Sequence, residues 1–283
     1  MSKISGYLRL MRPVNCLMMG FAVIVGAMLA NPNVTSDSWL KLLYGFVTGF
    51  TLTAASMAIN DYYDREIDAV NEPNRPIPSG AVKTEEALAF ASVLTIVGFA
   101  ASYLTNVLCL FLAVVAWIIS VTYTTIGKRS GLPGNFLVSL CVAVPFIYGS
   151  ATILDNVMLN TWFFVGTVFL SITGREVTKG IVDTKGDELR NVRTLAVRYG
   201  EKNAAIAAAL FYLSAVSLSP IPWILGIVSF WFIPMVAVTD FGLIASSFLL
   251  LRDYSRENAR KIKNLVLLWF IIGLLAFIVG AFR

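Results

Sequence analysis

Apolar runs of about 20 residues recur from one end of this chain to the other, and each is long enough to cross the ~30 Å hydrocarbon core of a bilayer. No other feature constrains the fold so tightly. Of the 283 residues 57% are hydrophobic and only 14% charged, against roughly 25% charged in a soluble domain. The mean hydropathy is +0.75. The sequence therefore predicts an all-α polytopic membrane protein forming a single integral membrane domain. Nine spans are expected, near residues 13–30, 41–60, 84–104, 107–126, 134–153, 160–178, 202–219, 222–250 and 263–282. The first lacks a small-residue cleavage signal and more spans follow it, so it reads as a retained helix.

Charge between the spans is sharply sorted. All 22 Lys and Arg residues except Lys41 and Arg283 fall on one side, which the positive-inside rule makes cytoplasmic. The N-terminus is then inside and the C-terminus outside, as an odd number of spans requires. Only Asp37 and Asp155 fall in outer loops, and Asp240 lies within the eighth expected span, six residues after Pro234, where a helix kink is expected. Basic charge of this kind is explained by topology, and no nucleic-acid partner is expected. The sequence gives no mark of oligomeric state.

Histidine is absent, which excludes imidazole catalysis and imidazole metal ligands. Cys16, Cys109 and Cys141 lie in apolar stretches without metal-type spacing and read as small apolar filler. Acid–base or metal chemistry must use carboxylates, Lys, Tyr or water.

Two acidic clusters, both on the cytoplasmic side, supply such groups. In NDYYDREID, residues 60–68, Asp61, Asp64 and Asp68 recur at i, i+3 and i+7, one face of a helix. In REVTKGIVDTKGD, residues 175–187, Glu176, Asp183 and Asp187 recur at i, i+7 and i+11, again one face. Like charges that close repel unless a positive group lies between them. Two such faces opposite each other suit divalent metal ions and, through them, a polyphosphate. Asn60 adds a neutral oxygen ligand, and magnesium is the expected ion because it takes few protein carboxylates and fills its sphere with water and phosphate. Either cluster alone also reads as a solvated helix end, with Arg65, or Lys179, Lys185 and Arg190, as partners.

Basic residues flank both clusters. Arg75 sits in the proline-stiffened loop NEPNRPIPSG, residues 71–80, as a fork-shaped phosphate ligand or as a topological charge. Lys128 and Arg129, in YTTIGKRSGLPGN, have the same two readings, and Tyr123 is placed to face a cation or donate a hydrogen bond. A faint internal repeat links the halves. Asp64 and Asp68 precede Asp183 and Asp187 at one common offset, and Pro13 and Asn15 precede Pro133 and Asn135 at nearly the same one. This suggests two parallel four-helix halves, about 1–128 and 129–251, plus a ninth helix at about 263–282. Parallel repeats place a site at the interface of their halves.

Together these motifs resemble the UbiA superfamily of intramembrane prenyltransferases: N-D-x-x-D-x-x-x-D, an Arg in N-R-P-x-x-x-G, Y-x-x-x-x-K-R-x-x-x-P, and a second D-x-x-x-D. The motifs cover about residues 9–205. The resemblance implies nine helices around a central cavity, Mg²⁺ held by both Asp-rich motifs, and a prenyl diphosphate donor. It implies that Asn60, Asp61, Asp64 and Asp68 form the first metal and diphosphate motif and Asp183 and Asp187 the second. Arg75, Lys128 and Arg129 would bind diphosphate. Many relatives carry Asp where this chain has Glu176 or a neighbour, so Glu176 reads as ligand, base or structural acid. In wording, GREVTKGIVDTKGDELRNVRTLAVRYG resembles those members that join geranylgeranyl diphosphate to geranylgeranylglyceryl phosphate, a lipid phosphate acceptor. Lys179 is one of several basic residues compatible with that phosphate. An aromatic acceptor in quinone synthesis is the alternative. A transporter of a phosphorylated solute would need polar residues continuing to the outer face, where this chain has few apart from Asp240.

Overall fold

The apolar runs fold as helices, and the computed structural model describes residues 3–33, 38–189 and 191–282. Arg190, Arg283 and Asp37, which entered the charge sorting, lie outside them. The helices, in chain order, are α1 (Lys3–Met11), α2 (Pro13–Ala30), α3 (Trp39–Asn71), α4 (Thr84–Thr105), α5 (Val107–Thr125), α6 (Leu132–Leu154), α7 (Leu159–Leu189), α8 (Leu195–Tyr199), α9 (Glu201–Leu218), α10 (Ile221–Ile224), α11 (Phe232–Arg252) and α12 (Arg256–Ala281). A 3-10 turn, Gly127–Arg129, precedes α6. No strand occurs among the described residues.

Among the described residues eight helical stretches are long and apolar enough to cross a membrane, so the chain is a multi-pass membrane protein. The sixth expected span, 160–178, is not among the eight. It falls in α7, a helix of 31 residues. At 1.5 Å per residue α7 is about 46 Å long, but Asn160, Thr161, Thr167, Ser171 and Thr173 interrupt its apolar stretch. The eighth expected span, 222–250, is not one helix. It comprises α10, an irregular link and α11. Pro222 and Gly226 (φ 64) turn the chain there, closed by Ile227 N–H donating to the Pro222 carbonyl at 2.8 Å. Pro234 therefore does not kink a helix; it sits in the first turn of α11, where a missing N–H costs nothing.

The chain divides into two compact units. The first comprises Met1–Ala27, Asn33–Thr125 and Val144–Asn156. Its core joins Ala55 and Ala58 of α3 to Ala87 and Ala91 of α4, with Leu10 of α1 and Val82 beside them. Small side chains let membrane helices approach closely and replace the hydrophobic drive that lipid cannot provide. Hydroxyls add interhelical bonds: Ser56 of α3 meets Ser120 of α5 at 2.5 Å, and Tyr148 Oη donates to Thr48 Oγ1 at 3.2 Å. Amphipathic α1 lies along this unit, and Lys3 Nζ donates to Glu86 at 2.7 Å. That hydrogen bond, with the Glu86 charge, holds the Lys3 ammonium above its ordinary pKa.

The second unit comprises Met28–Pro32, Ile126–Ala143 and Val157–Arg283. Ala204, Ala205 and Ala208 of α9 form a core with Val177 and Ile181 of α7, Leu243 and Leu250 of α11 and Ile262 and Val266 of α12. Thr178 and Tyr212, both buried, hydrogen-bond between α7 and α9 at 3.0 Å. Trp269 Nε1 donates to Ser246 Oγ at 3.1 Å between α12 and α11. Large apolar side chains such as Phe241 and Phe248 stay exposed, as helices facing lipid require.

Candidate active site

Helix α3 runs past its apolar stretch without a break, so Asn60, Asp61, Asp64 and Asp68 all ride on one helix and the i, i+3, i+7 face forms. The chain then turns back on itself. Glu72 N–H donates to the Asp68 carbonyl at 2.8 Å, Arg75 N–H to Glu72 at 2.9 Å, and Val82 N–H to Pro76 at 3.0 Å. Gly80 supplies the positive φ of 74° that closes the loop. This folded loop returns Arg75 over the end of α3.

Arg75 Nη1 lies 2.6 Å from Asp68 Oδ2 and 3.5 Å from Asp61 Oδ1. A second guanidinium reaches Asp61 from the α1–α2 joint: Arg12 Nη2 donates to Oδ1 at 2.6 Å. The Asp61 and Asp68 side chains are only 4% and 8% exposed. Carboxylates so buried need counter-charge, and two arginines provide it. Asn60 Nδ2 donates to Asp64 Oδ2 at 3.1 Å. Arg65, inside the motif, turns elsewhere, donating to the Tyr62 carbonyl and lying over the Tyr62 ring. A cleft of about 230 Å³ opens at this network, lined by Arg9, Arg12, Asp61, Glu72, Asn74, Arg75 and Pro76.

In the second unit, Glu176, Lys179, Asp183 and Asp187 likewise share one helix, α7. Glu176, 10% exposed, is held by Arg175 Nη1 at 3.1 Å and Lys179 Nζ at 3.3 Å. Arg256 Nε donates to the Val182 carbonyl at 2.9 Å, tying the start of α12 to this part of α7. Lys128 and Arg129 occupy the 3-10 turn before α6, where the Arg129 carbonyl accepts from Arg193 N–H at 3.3 Å. Tyr123 lies near the end of α5, in the first unit.

The structure thus joins Asp61, Asp68 and Arg75 directly, and Glu176 with Lys179. Among the described residues no group of three or more Asp, Glu or Cys is close enough to hold a metal ion as it stands. On α3, Arg12 and Arg75 pair with Asp61, and Arg75 also with Asp68. Sequence reasoning did not select Arg12 as a site residue; the available signal was Arg12-Pro13 immediately before the first span.

An all-helical membrane fold with a buried Asp–Arg network at the end of a span defines a class. The profile of the UbiA prenyltransferase family matches residues 19–280, and the chain belongs to that family. Among its relatives is the digeranylgeranylglyceryl phosphate synthase of Archaeoglobus fulgidus, 39% identical over 96% of this chain and 94% of that one. The protein of the same name from Methanocaldococcus jannaschii is 36% identical over 100% and 98%. A solved structure described as giving insights into digeranylgeranylglyceryl phosphate synthase in membranes superposes with a TM-score of 0.88 at 34% identity, covering 99% of both chains. A UbiA homolog from Archaeoglobus fulgidus bound to GPP and Mg²⁺ shares the fold, with a TM-score of 0.70 at 18% identity over 96% and 99%.

Proposed function

We propose that this protein transfers a geranylgeranyl group from geranylgeranyl diphosphate to the free hydroxyl of geranylgeranylglyceryl phosphate, forming the second ether bond of archaeal membrane lipids. The observation that carries this reading is likeness over essentially the full length to synthases of that name.

In this reaction the allylic C–O bond of the donor breaks and its electron pair leaves with diphosphate. The acceptor hydroxyl oxygen then bonds to the allylic carbon and its proton is released. The protein's task is to stabilise the departing charge and exclude water. Arg75, Lys128, Arg129 and Lys179 hold the diphosphate, with arginine forks matching its oxygens. Tyr123 presents its ring to the carbocation-like carbon. Glu176 positions Lys179 through their ion pair. The apolar helices carry the prenyl tails and keep the reaction dry.

The acids fit magnesium in donor type, since every candidate ligand is an oxygen. Asp61 and Asp68 already require cations in their buried setting. Asn60, Asp61, Asp64 and Asp68 on α3 and Asp183 and Asp187 on α7 would hold it. Bound there, magnesium supplies positive charge to offset the diphosphate. We place the protein in the cell membrane with this chemistry open to the cytoplasmic side.

A Mg²⁺-dependent assay in detergent tests the reading, offering radiolabelled geranylgeranyl diphosphate with geranylgeranylglyceryl phosphate or with 4-hydroxybenzoate. The expected product is the ether lipid phosphate. Product from the aromatic acid alone would move the protein to quinone synthesis and overturn the acceptor assignment.

A further inference from the structure

The cleft beside Asp61 contains two guanidiniums to which the reaction assigns no task. Three arginines, Arg9, Arg12 and Arg75, face two carboxylates, Asp61 and Glu72, around its wall. Arg75 is anchored twice, to Asp61 and Asp68. Arg12 meets Asp61 through one terminal nitrogen. A guanidinium has five N–H donors in a planar fork, so a single contact leaves most of that fork to the cleft.

The backbone presents Arg12 in an unusual way. Its φ of 52° lies in the left-handed region, which a side chain with a Cβ rarely adopts. Pro13 follows and disfavours the right-handed helical conformation at Arg12. The Arg12 carbonyl accepts from Asn15 N–H at 3.0 Å, starting α2. Backbone strain of this kind persists where the surroundings over-determine it, and it clusters at functional sites. Here it sends the side chain into the cleft. Arg9, in the last turn of α1, lines the same wall. Helix α1 carries Ile4 and Leu8 exposed, 75% and 49%, as an amphipathic helix lying at a lipid surface would. An anion whose tails remain in the bilayer would present its headgroup beside such a helix.

We propose that Arg12, with Arg9 beside it, forms a binding site for a phosphate monoester, the headgroup of the lipid phosphate acceptor. This rests on the acceptor reading above. The fork of Arg12 suits two phosphate oxygens, while its bond to Asp61 sets its orientation. Arg75, tied to Asp61 and Asp68, stays with the diphosphate. The cleft thereby distinguishes two anions by two arginines.

The test compares wild type with Arg12→Gln and Arg12→Lys, each purified in detergent. For Arg12→Gln the KM for the lipid phosphate acceptor should rise about tenfold or more, with the KM for the donor changed by no more than about twofold. Arg12→Lys keeps a charge on Asp61 but loses the fork. It should keep wild-type melting and donor KM, yet still lose acceptor affinity; full rescue by Lys would reduce Arg12 to a counter-charge. An equal rise in donor KM would assign Arg12 to the diphosphate and overturn the proposal. A second arm titrates sn-glycerol 1-phosphate calorimetrically, without turnover. Its Kd should weaken about tenfold in Arg12→Gln, and an unchanged Kd would sink the site. If wild type fails to transfer to the lipid phosphate but binds sn-glycerol 1-phosphate through Arg12, the acceptor reading falls and the phosphate site stands.

Discussion

Three acids share one face of α3: Asp61 and Asp68 are engaged by guanidiniums, and Asp64 takes an amide N–H from Asn60. In the proposed reaction Asp64 is a metal ligand that contributes its charge, and Asp64→Asn removes that charge while nearly preserving shape. We predict a fall in kcat of about a hundredfold or more, with the melting temperature in Mg²⁺-free detergent unchanged. Turnover near wild type at saturating Mg²⁺ would sink the metal role. Arg75 pairs with Asp68 in the fold and, in the proposed reaction, binds diphosphate, so its loss should show twice. Arg75→Ala should raise donor KM about tenfold and also lower stability, because Asp68 would be left buried without its closest cation. If acceptor KM alone moved, Arg75 would belong to the other subsite. The helix face bearing Asp61, Asp64 and Asp68 was readable in sequence because its spacing is local and α3 continues through it. Arg12 was not readable as the partner of Asp61, because its reach depends on a positive-φ joint and on α1 packing along α3, neither of which leaves a periodic signal.

At the scale of elements, the joints between helices carry information that apolar runs conceal. Helices α4 and α5 meet at a single residue, Asn106. Its Oδ1 accepts from Cys109 N–H at 2.6 Å and caps α5, while Nδ2 donates to the Ala151 carbonyl at 2.8 Å and Asp155 Oδ1 at 2.6 Å. One side chain thus fixes a hairpin and ties it to the end of α6. Asn106→Ala should cost about 0.5–2 kcal/mol, the range for a lost cap. Thermal unfolding in detergent should show this as a drop of a few degrees. Because Asn106 is remote in the fold from the Asp61 network, kcat should hold; a large kcat loss at unchanged melting temperature would contradict a structural role. The break between α10 and α11 was hidden for a related reason. ILGIVSFWFIP reads as one apolar run, but its link is held by Ser229 N–H donating to the Gly280 carbonyl of α12 at 2.8 Å. A tertiary bond thus holds a break that Pro222 and Gly226 begin. Helix α1 escaped the span reading because its nine residues are too few and too charged to cross a bilayer.

For the molecule as a whole, charge sorting makes a claim about orientation that helix packing does not supply. The loops rich in Lys and Arg should face the cytoplasm, because each basic residue carried across the hydrocarbon costs free energy and insertion proceeds the other way. Within the second unit, Lys261 lies near the start of α12 and Met158 just before α7, at ends the sorting assigns to opposite sides. Both are solvent-accessible. Cys16 and Cys109 are buried, and partly exposed Cys141 is replaced by Ala in the labelling background. In sealed right-side-out vesicles, a membrane-impermeant maleimide should label Met158→Cys at once and Lys261→Cys only after lysis. The reverse pattern would turn the whole protein over, moving the Asp61 cleft away from the cytoplasmic supply of magnesium and diphosphate on which the proposed reaction depends.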